Sequence, residues 1–447
     1  MTGKAVPPGS RAPTQGADRS ADSYLPQHGN GGYRVRHYDL DLDYRIAANR
    51  LSGRAVLSAV ATQALSRFSL DLAGLRIQRV LVNGVPAKYT HQAGKVRIRP
   101  AGTLAADAEF TVEIRYSGNP RPVPSRWGDI GWDELTDGVL VASQPIGAPS
   151  WFPCDDHPAA KATYRVALTT ASAYAVLVTG NLVSRRTAAG TTTWVYHRPQ
   201  PTASYLMSVQ IGRYDQVVLA AGAVPQVAEV PAGLRAAAEY DFARQGQMML
   251  ALQRFFGPYP FENYVIVVTA DDLDDPIEAQ GMSIFGANHV DGRRTYERLV
   301  VHELAHQWFG NSLTVADWRH IWLNEGFATY AEWLWSEATG ELSAHVNALR
   351  WHARLAARPA DLRVADPGPA RMFDEVVYQR GALTLHALRR RMGDQRFFAL
   401  LRDWTGQHRH GTVTTDQFTA LAEHHAGQPL DDLFTAWLLR ARLPALD

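Results

Sequence analysis

Two histidines four positions apart are the first feature of the sequence that could do chemistry. They stand in His302-Glu-Leu-Ala-His306. On a helix this spacing puts both imidazoles on one face, one turn apart, so both could reach the same metal ion. A catalytic zinc site combines three protein ligands with one open position. The spacing therefore predicts a helical zinc site that needs a third ligand.

A carboxylate further along the chain is expected to supply that third ligand. Glu325 stands at the start of a second predicted helix, and it would complete the set if this helix packs against the first. Glu303, between the histidines, points away from the ion but could contact a water bound there, so we expect it to be the general base. Glu332, seven residues after Glu325, is expected to hydrogen-bond a liganding histidine.

An ordinary buried helix is the other explanation of the histidine pattern. Short motifs of this kind arise by chance, and the same helix carries an apolar stripe that includes Leu299, Leu304 and Trp308. A buried helix would not, however, require a following helix with Glu325 and Glu332 at suitable spacing. The context therefore favours the metal site.

Two blocks of sequence resemble a known family. His302-Glu-Leu-Ala-His306-Gln-Trp-Phe-Gly-Asn311 and Trp322-Leu-Asn-Glu325-Gly-Phe-Ala are similar to the zinc site of the gluzincin aminopeptidases, peptidase family M1, which includes aminopeptidase N and leukotriene hydrolase. The resemblance covers roughly residues 33–445. It implies one zinc ion per chain, a thermolysin-like catalytic domain, and a short form without the large C-terminal helical domain. The cleft is then expected to be open unless a partner chain covers it.

The resemblance also implies roles for three residues outside the zinc motif. Glu278, in Asp275-Pro-Ile-Glu278-Ala, matches the glutamate that grips the α-ammonium group of the substrate, although the glycine and asparagine of the family pattern are replaced. Gln144 matches a Glu or Gln that helps to bind the same amine. Tyr378, just before a helix predicted over 381–392, matches a tyrosine whose hydroxyl faces the zinc.

Composition limits the class of protein. The chain has 447 residues, 46% of them hydrophobic, which suggests two to four domains with large cores. The net charge is +1, so neither nucleic acid nor an anionic membrane is an expected partner, and no apolar run approaches the ~20 residues of a membrane span. The one cysteine, Cys154, is expected to be a small buried apolar residue. A single cysteine and the lack of a secretory signal together predict a reducing, cytoplasmic location.

Hydrophobic periodicity predicts an α+β fold. Residues 38–44, 95–99 and 110–116 alternate polar and apolar side chains, and Asn83-Gly84 predicts a hairpin turn. Strands at this spacing predict an N-terminal antiparallel β-saddle or sandwich over 33–213, and 214–447 are predicted to form a mainly helical catalytic domain. Residues 1–32, poor in large apolar side chains, predict a disordered leader.

These features together predict a zinc aminopeptidase that acts on peptides with a free N terminus. A specialised amide or epoxide hydrolase with a dedicated small substrate is the alternative, because the family includes an epoxide hydrolase and the segment 275–279 is altered. A zinc-stabilised binding protein would have no reason to keep Glu303. The preferred first residue, the physiological substrate and the oligomeric state are left open.

Overall fold

The computed structural model describes residues 14–446, in which a β-rich region precedes a mainly helical one. The strands of the first region are β1 (Thr14–Gln15), β2 (Tyr33–Arg45), β3 (Arg50–Ala61), β4 (Leu65–Asp71), β5 (Arg76–Val82), β6 (Val85–Pro86), β7 (Lys88–Gln92), β8 (Lys95–Arg99), β9 (Glu109–Gly118), β10 (Val123–Ser125), β11 (Gly128–Leu135), β12 (Gly138–Ala142), β13 (Ala162–Ala171), β14 (Ala175–Val178), β15 (Asn181–Ala188), β16 (Thr191–Thr202) and β17 (Val209–Gly212).

Three sheets make up this region. The largest has eight strands in the order β15-β16-β13-β2-β3-β9-β5-β6, and the others run β10-β11-β12-β17-β14 and β1-β4-β8-β7. Strand β2 shows why they pack: Tyr38, Leu40 and Leu42 are buried, while the intervening aspartates are partly exposed. Successive side chains on a strand point to opposite faces, so one face of β2 joins the core. The Asn83-Gly84 turn joins β5 to β6 as predicted, with positive φ at both residues.

The large sheet is mixed. Strand β13 pairs parallel with β2 and antiparallel with β16. The α+β class and the β-rich N-terminal region are confirmed, but the antiparallel pairing that we predict for this region does not hold at the β2–β13 and β1–β4 pairs, which are parallel. Alternation along a strand identifies its buried face and gives no information on the direction of a neighbour more than a hundred residues away in sequence.

The second region begins with a new sheet and continues as helices. Its strands are β18 (Asp215–Ala221), β19 (Pro225–Val230), β20 (Tyr264–Val268), β21 (Ile277–Ala279), β22 (Met282–Phe285), β23 (Thr314–Val315) and β24 (Thr412–Val413), and its α-helices are α1 (Arg235–Asp241), α2 (Gln245–Phe256), α3 (Glu297–Ala305), α4 (Trp322–Ala338), α5 (Ala344–Ala356), α6 (Glu375–Met392), α7 (Asp394–Gln407), α8 (Thr415–Ala426) and α9 (Asp431–Phe434).

The five-stranded sheet of this region runs in the order β18-β19-β20-β22-β21, which leaves β21 at an edge. Strand β18 starts at Asp215 and shares no sheet with β17, which ends at Gly212. The change of sheet falls beside the boundary that we predict at 213/214, and the domain limits themselves stay a prediction.

Helices α4 and α6 pack closely enough to need glycine on both sides. A Cβ added to Gly326 would lie 2.9 Å from the Cα of Gly381, and a Cβ added to Gly381 would lie 2.8 Å from the Cα of Gly326. Only glycine, which has no Cβ, allows two helix backbones to approach this closely. Helix α6 begins at Glu375, six residues before its predicted start, because Asp374 caps it by accepting the backbone N–H of Val376.

Residues 14–32 contact both regions, so the prediction of a disordered leader was wrong for this part of 1–32. Thr14–Gln15 pairs with β4. Asp22, only 3% exposed, accepts the backbone N–H of Trp318 at 2.9 Å, and the hydroxyl of Tyr24 donates to Asp366. Hydrophobic composition does not predict polar contacts of this kind. Residues 1–13 lie outside the described part of the chain.

Cys154 is fully buried, as expected for a small apolar residue. Over residues 14–446, no helix combines the length and the apolar character that crossing a membrane requires. The cytoplasmic location stays a prediction.

Candidate active site

Helices α3 and α4 bring the three predicted zinc ligands together. The Nε2 atoms of His302 and His306 lie 3.5 and 3.4 Å from Oε2 of Glu325. One nitrogen or oxygen from each of the three residues lies within 4.8 Å of the others, and all three side chains are buried. The packing of α4 against α3 that the Glu325 hypothesis requires is therefore present.

The other nitrogen of each imidazole has its own partner. Nδ1 of His302 donates to Oε1 of Glu332 at 2.8 Å, and Nδ1 of His306 donates to the backbone oxygen of Phe309 at 3.0 Å. With each Nδ1 protonated, both Nε2 atoms are free to bind a cation, and their lone pairs face Glu325. Such outer partners fix the tautomer and orientation of a metal-binding histidine. The donor set, two imidazoles and one carboxylate, fits zinc.

Electrostatics favour a cation at the same place. Burial opposes ionisation of Glu325, but positive charge on the protonated forms of His306 and His302 lowers the pKa of its carboxyl to about 2, and a bound cation would take the place of those protons. Burial, with Glu278 and Glu325 acting in the same direction and His306 and His302 opposing them, raises the pKa of Glu303 to about 7. Three carboxylates in a buried space repel one another, and a divalent cation would relieve that repulsion.

Glu303 lies beside His306, with side-chain polar atoms of the two residues within 4.8 Å of each other. It is 4% exposed, and among the described residues its Oε2 has no hydrogen-bond partner. A buried polar atom without a partner costs free energy, and at an active site it often marks a group that binds or reacts. Nothing within residues 14–446 therefore competes for this oxygen.

The two residues assigned to the substrate amine are in direct contact. Nε2 of Gln144, which follows β12, donates to Oε1 of Glu278 on the edge strand β21 at 2.7 Å. Glu278 in turn lies within 4.8 Å of Glu303 and His306, measured between side-chain polar atoms. The structure thus places a buried carboxylate with an amide partner beside the predicted zinc ligands.

Tyr378 lies in the first turn of α6, beside His302. Its ring is nearly parallel to that of His302, with the centroids 6.1 Å apart and 16° between the planes. The helix is held by Arg380. Its guanidinium donates to backbone oxygens near the end of the chain, including Trp437 at 2.9 Å. Arg380 thus has a structural role, two residues from Tyr378.

Lys161 supports the turn after α3 from the β-rich region. Its Nζ donates to the backbone oxygens of Asn311 at 3.1 Å, Ser312 at 2.8 Å and Gly411 at 3.2 Å. The segment that follows His306 is therefore bonded to a residue of the N-terminal region. These contacts connect the zinc motif with the irregular segment before β13.

All of the predicted site residues line one cleft with a cavity of about 680 Å³. Sequence reasoning missed several other residues of its lining, among them Trp127, Phe373 and Arg298. Arg298 could have been found, because it lies one helical turn before His302 on the same face. Trp127 and Phe373 have no local signal, since they come from different regions and meet only in the fold.

Comparisons with known proteins agree with this arrangement. The family model described as the peptidase family M1 domain matches residues 240–437, and that of the peptidase M1 N-terminal domain matches residues 35–206. Aminopeptidase M1-D of Oryza sativa subsp. japonica is 24% identical, over 92% of this chain and 50% of its own length. Leucyl aminopeptidase of Saccharolobus solfataricus is 21% identical, over 92% of this chain and 54% of its own length. The chain thus spans about half the length of these curated relatives.

Solved structures match nearly the whole chain. The M1 zinc metallopeptidase of Deinococcus radiodurans is 31% identical, with a TM-score of 0.86 over 95% of this chain and 98% of its own. Native yeast LTA4 hydrolase shares the fold, at 20% identity and a TM-score of 0.79 over 92% of this chain and 69% of its own. Both family models fit in sequence order, and the Deinococcus radiodurans enzyme is more than 30% identical over 95% of this chain, so the chain belongs to peptidase family M1.

Proposed function

We propose that the chain is a zinc-dependent aminopeptidase, which removes the first residue from peptides with a free N terminus. The observation that carries the proposal is the contact between Gln144 and Glu278 beside the cluster of His302, His306 and Glu325. It puts an anion for the substrate amine next to a set of zinc ligands. When bound, zinc supplies Lewis-acid chemistry, lowering the pKa of water and polarising a carbonyl group.

Glu303 carries the proton in this mechanism. Its unpartnered oxygen accepts a proton from the attacking water and then delivers it to the nitrogen of the leaving amine. Burial holds the pKa of this carboxyl above the usual value for a glutamate, which favours a group that both gains and loses a proton during turnover. The base thus becomes the acid within one turnover.

Tyr378 supplies a hydrogen bond where negative charge develops on the substrate oxygen. Two observations support this role: helix α6 packs on α4 at the two glycines, and the ring of Tyr378 lies beside that of His302. Burial holds the pKa of its phenol well above the usual value, so the hydroxyl keeps its proton and remains a donor. Removing one such donor costs about 2.7–4 kcal/mol of barrier in comparable sites.

Glu278 and Gln144 account for the exopeptidase character. The carboxylate of Glu278 binds the α-ammonium group, while the side-chain amide oxygen of Gln144 can accept from the same group. A fixed distance between this anion and the zinc ligands leaves only the first peptide bond in range. A variant of the Deinococcus radiodurans enzyme has been solved with a Tyr-Ser-Ala substrate, which has the free amine that this arrangement requires.

Aminoacyl p-nitroanilides with a free or an acetylated amine test the proposal, each with and without a zinc chelator. We expect cleavage of the free-amine substrates alone, and its loss on chelation. Cleavage of the acetylated substrates would contradict the role of Glu278. Acylated small amides and epoxides belong in the same panel, because turnover of these alone would favour the specialised hydrolase instead.

A further inference from the structure

The strand that carries Glu278 has a strand neighbour on one side only. Among the described strands, β21 pairs with β22 alone, and the two form a hairpin in which Ala279 lies opposite Met282. A three-residue edge strand is held by few backbone hydrogen bonds, and a segment with few contacts is easily displaced. The position of Glu278 relative to the zinc ligands therefore depends on contacts from outside the sheet.

The side chain of Gln307 fills the turn of this hairpin. Gln307 directly follows His306 and is fully buried. Its Nε2 donates to the backbone oxygens of Ala279 at 3.1 Å and Met282 at 3.3 Å. Its Oε1 accepts the backbone N–H of Gly281 at 2.7 Å. A single amide thus bonds both strands of the hairpin and the loop between them.

Asn311 makes a second contact with the same strand. Its side chain is fully buried, and its Nδ2 donates to the backbone oxygen of Ala279 at 3.0 Å. Its backbone N–H donates to the backbone oxygen of His306 at 3.0 Å, and the same turn supplies the oxygen that accepts Nδ1 of His306. Residues 307–311 therefore hold the zinc ligand His306 on one side and the residue next to Glu278 on the other.

The β-rich region is bonded to both sides of this connection. Arg198 on β16 is 1% exposed, and its Nη2 donates to the backbone oxygen of Gln280 in the hairpin turn at 3.0 Å. Lys161, just before β13, donates to the backbone oxygen of Asn311 at 3.1 Å. A shift of the hairpin or of the turn after α3 would leave buried polar groups without partners, which costs free energy. The spacing between the two is therefore rigid.

We propose that Gln307 and Asn311, here called the amide clamp, are positioning residues that set the spacing between Glu278 and the zinc ligands. The clamp does not touch the substrate and acts through Glu278. A misplacement of about 1 Å can lower the rate of an enzyme about 10²-fold, so this spacing should make the site choose an α-ammonium group over one that lies a carbon further away. The proposal rests on the aminopeptidase function, because Glu278 must bind the ammonium group.

L-alanyl and β-alanyl p-nitroanilide test the clamp, because these isomers differ only in the carbon that carries the ammonium group. We would measure kcat and KM for both with the native enzyme, Gln307→Met and the milder Asn311→Ala. In each variant kcat for the L-alanyl isomer should fall, and the L-alanyl-to-β-alanyl ratio of kcat/KM should fall about tenfold or more. A smaller folded fraction would lower both rates alike and leave the ratio unchanged. An unchanged ratio in both variants would overturn the proposal.

Gln210→Met is the matched control. Gln210 on β17 is also fully buried, and its Nε2 donates to Oγ of Ser208 at 2.8 Å. None of the hydrogen bonds in the described part of the chain joins its side chain to the hairpin or to residues 307–311. This variant should lose stability but keep the native ratio. A fall equal to that in Gln307→Met would mean that loss of any buried amide disturbs the site, and the clamp would be rejected.

Binding of hydroxamates separates the clamp from the aminopeptidase proposal. In L-alanine hydroxamate and β-alanine hydroxamate the hydroxamate group can bind zinc while the ammonium group reaches for Glu278, and calorimetry of their binding needs no turnover. The zinc-loaded native enzyme should bind the L-alanine compound more tightly. Both clamp variants should still contain one zinc per chain but lose most of that preference.

The outcomes of this experiment are distinct. A native enzyme without the preference, or clamp variants that keep it, would overturn the clamp even if peptides are cleaved. Clamp variants without zinc would show that these residues act on the metal ligands and not on the spacing, which also overturns it. A preference that the variants lose, in an enzyme that cleaves no peptide, would uphold the clamp and refute the aminopeptidase.

Discussion

His302 and Glu332 are joined by a hydrogen bond of 2.8 Å between Nδ1 and Oε1, on the side of the imidazole that faces away from Glu325. Glu332 also lies 3.3 Å from Arg298 and is 9% exposed at its side chain. The carboxylate therefore orients His302 and increases the basicity of its Nε2. Partners of this kind affect metal affinity although they do not touch the metal.

Replacing Glu332 should weaken zinc binding. For Glu332→Gln we expect an affinity about 10–100-fold lower, because the histidine loses its anionic partner. Competition with a chromogenic chelator measures this directly, and Glu341→Gln, at an exposed position on the turn after α4, serves as the control. Equal zinc affinity in the two variants would show that Glu332 does not act on His302.

Alanine at Gly381 should separate the helices that carry Glu325 and Tyr378. The added Cβ would meet the backbone of Gly326, which cannot move aside as a flexible side chain could. Overpacking of this kind costs about 1–3 kcal/mol. Denaturant unfolding should show that loss, together with a lower kcat, while Gly406→Ala on α7, where no atom lies within 4 Å of the added Cβ, should leave kcat unchanged. A fully active, fully stable Gly381→Ala would contradict the close packing.

Asp22 should be needed for stability although it lies in a segment with little hydrophobic character. Its carboxylate accepts backbone N–H groups from Tyr24, Leu25 and Trp318, and Asp22→Ala would leave these donors without a partner. Each buried donor left unsatisfied costs about 1–3 kcal/mol. Thermal unfolding of Asp22→Ala should show a clear loss, and the exposed Arg19→Ala should show none. Equal melting temperatures would mean that the segment contributes nothing to the fold.

Asp155 should make the protein more stable in mild acid. Burial, with Asp71 nearby, raises the pKa of its carboxyl to about 7, above its usual value of 3.8. The folded state therefore prefers the protonated form, so this contribution is complete below about pH 4 and is lost as the pH rises through about 7. Asp155→Asn imitates the protonated form, and at pH 8 it should be more stable than the native protein by about 2–4 kcal/mol. Unfolding curves measured from pH 4 to 8 test this, and parallel profiles would contradict it.

The zinc site could be predicted because its geometry is local. The i and i+4 histidines, with Glu325 and Glu332 seven apart on the next helix, are fixed by helical periodicity once two helices pack. The place of Gln144 beside Glu278 followed from the family resemblance and not from spacing, since 134 positions separate the two residues.

What the sequence did not show depends on long-range or polar contacts. Trp127 and Phe373 meet across two regions, and no pattern within either segment indicates the other. Residues 14–32 are held by hydrogen bonds to side chains such as Asp22. In a composition-based prediction such polar residues indicate disorder. The parallel pairing of β2 with β13 could not be predicted either, because the alternation of polar and apolar residues along a strand does not indicate which strand pairs with it or in which direction.

The Glu303→Gln variant tests whether Glu303 is the general base. Glutamine keeps the shape of the side chain but cannot take the proton from water, and Glu303 is not one of the three proposed zinc ligands. We expect the purified variant to contain one zinc per chain, to keep its melting temperature, and to lose cleavage of free-amine aminoacyl p-nitroanilides by a factor of at least about 10². Native-like turnover by the zinc-loaded variant would contradict the assignment of Glu303 as the general base.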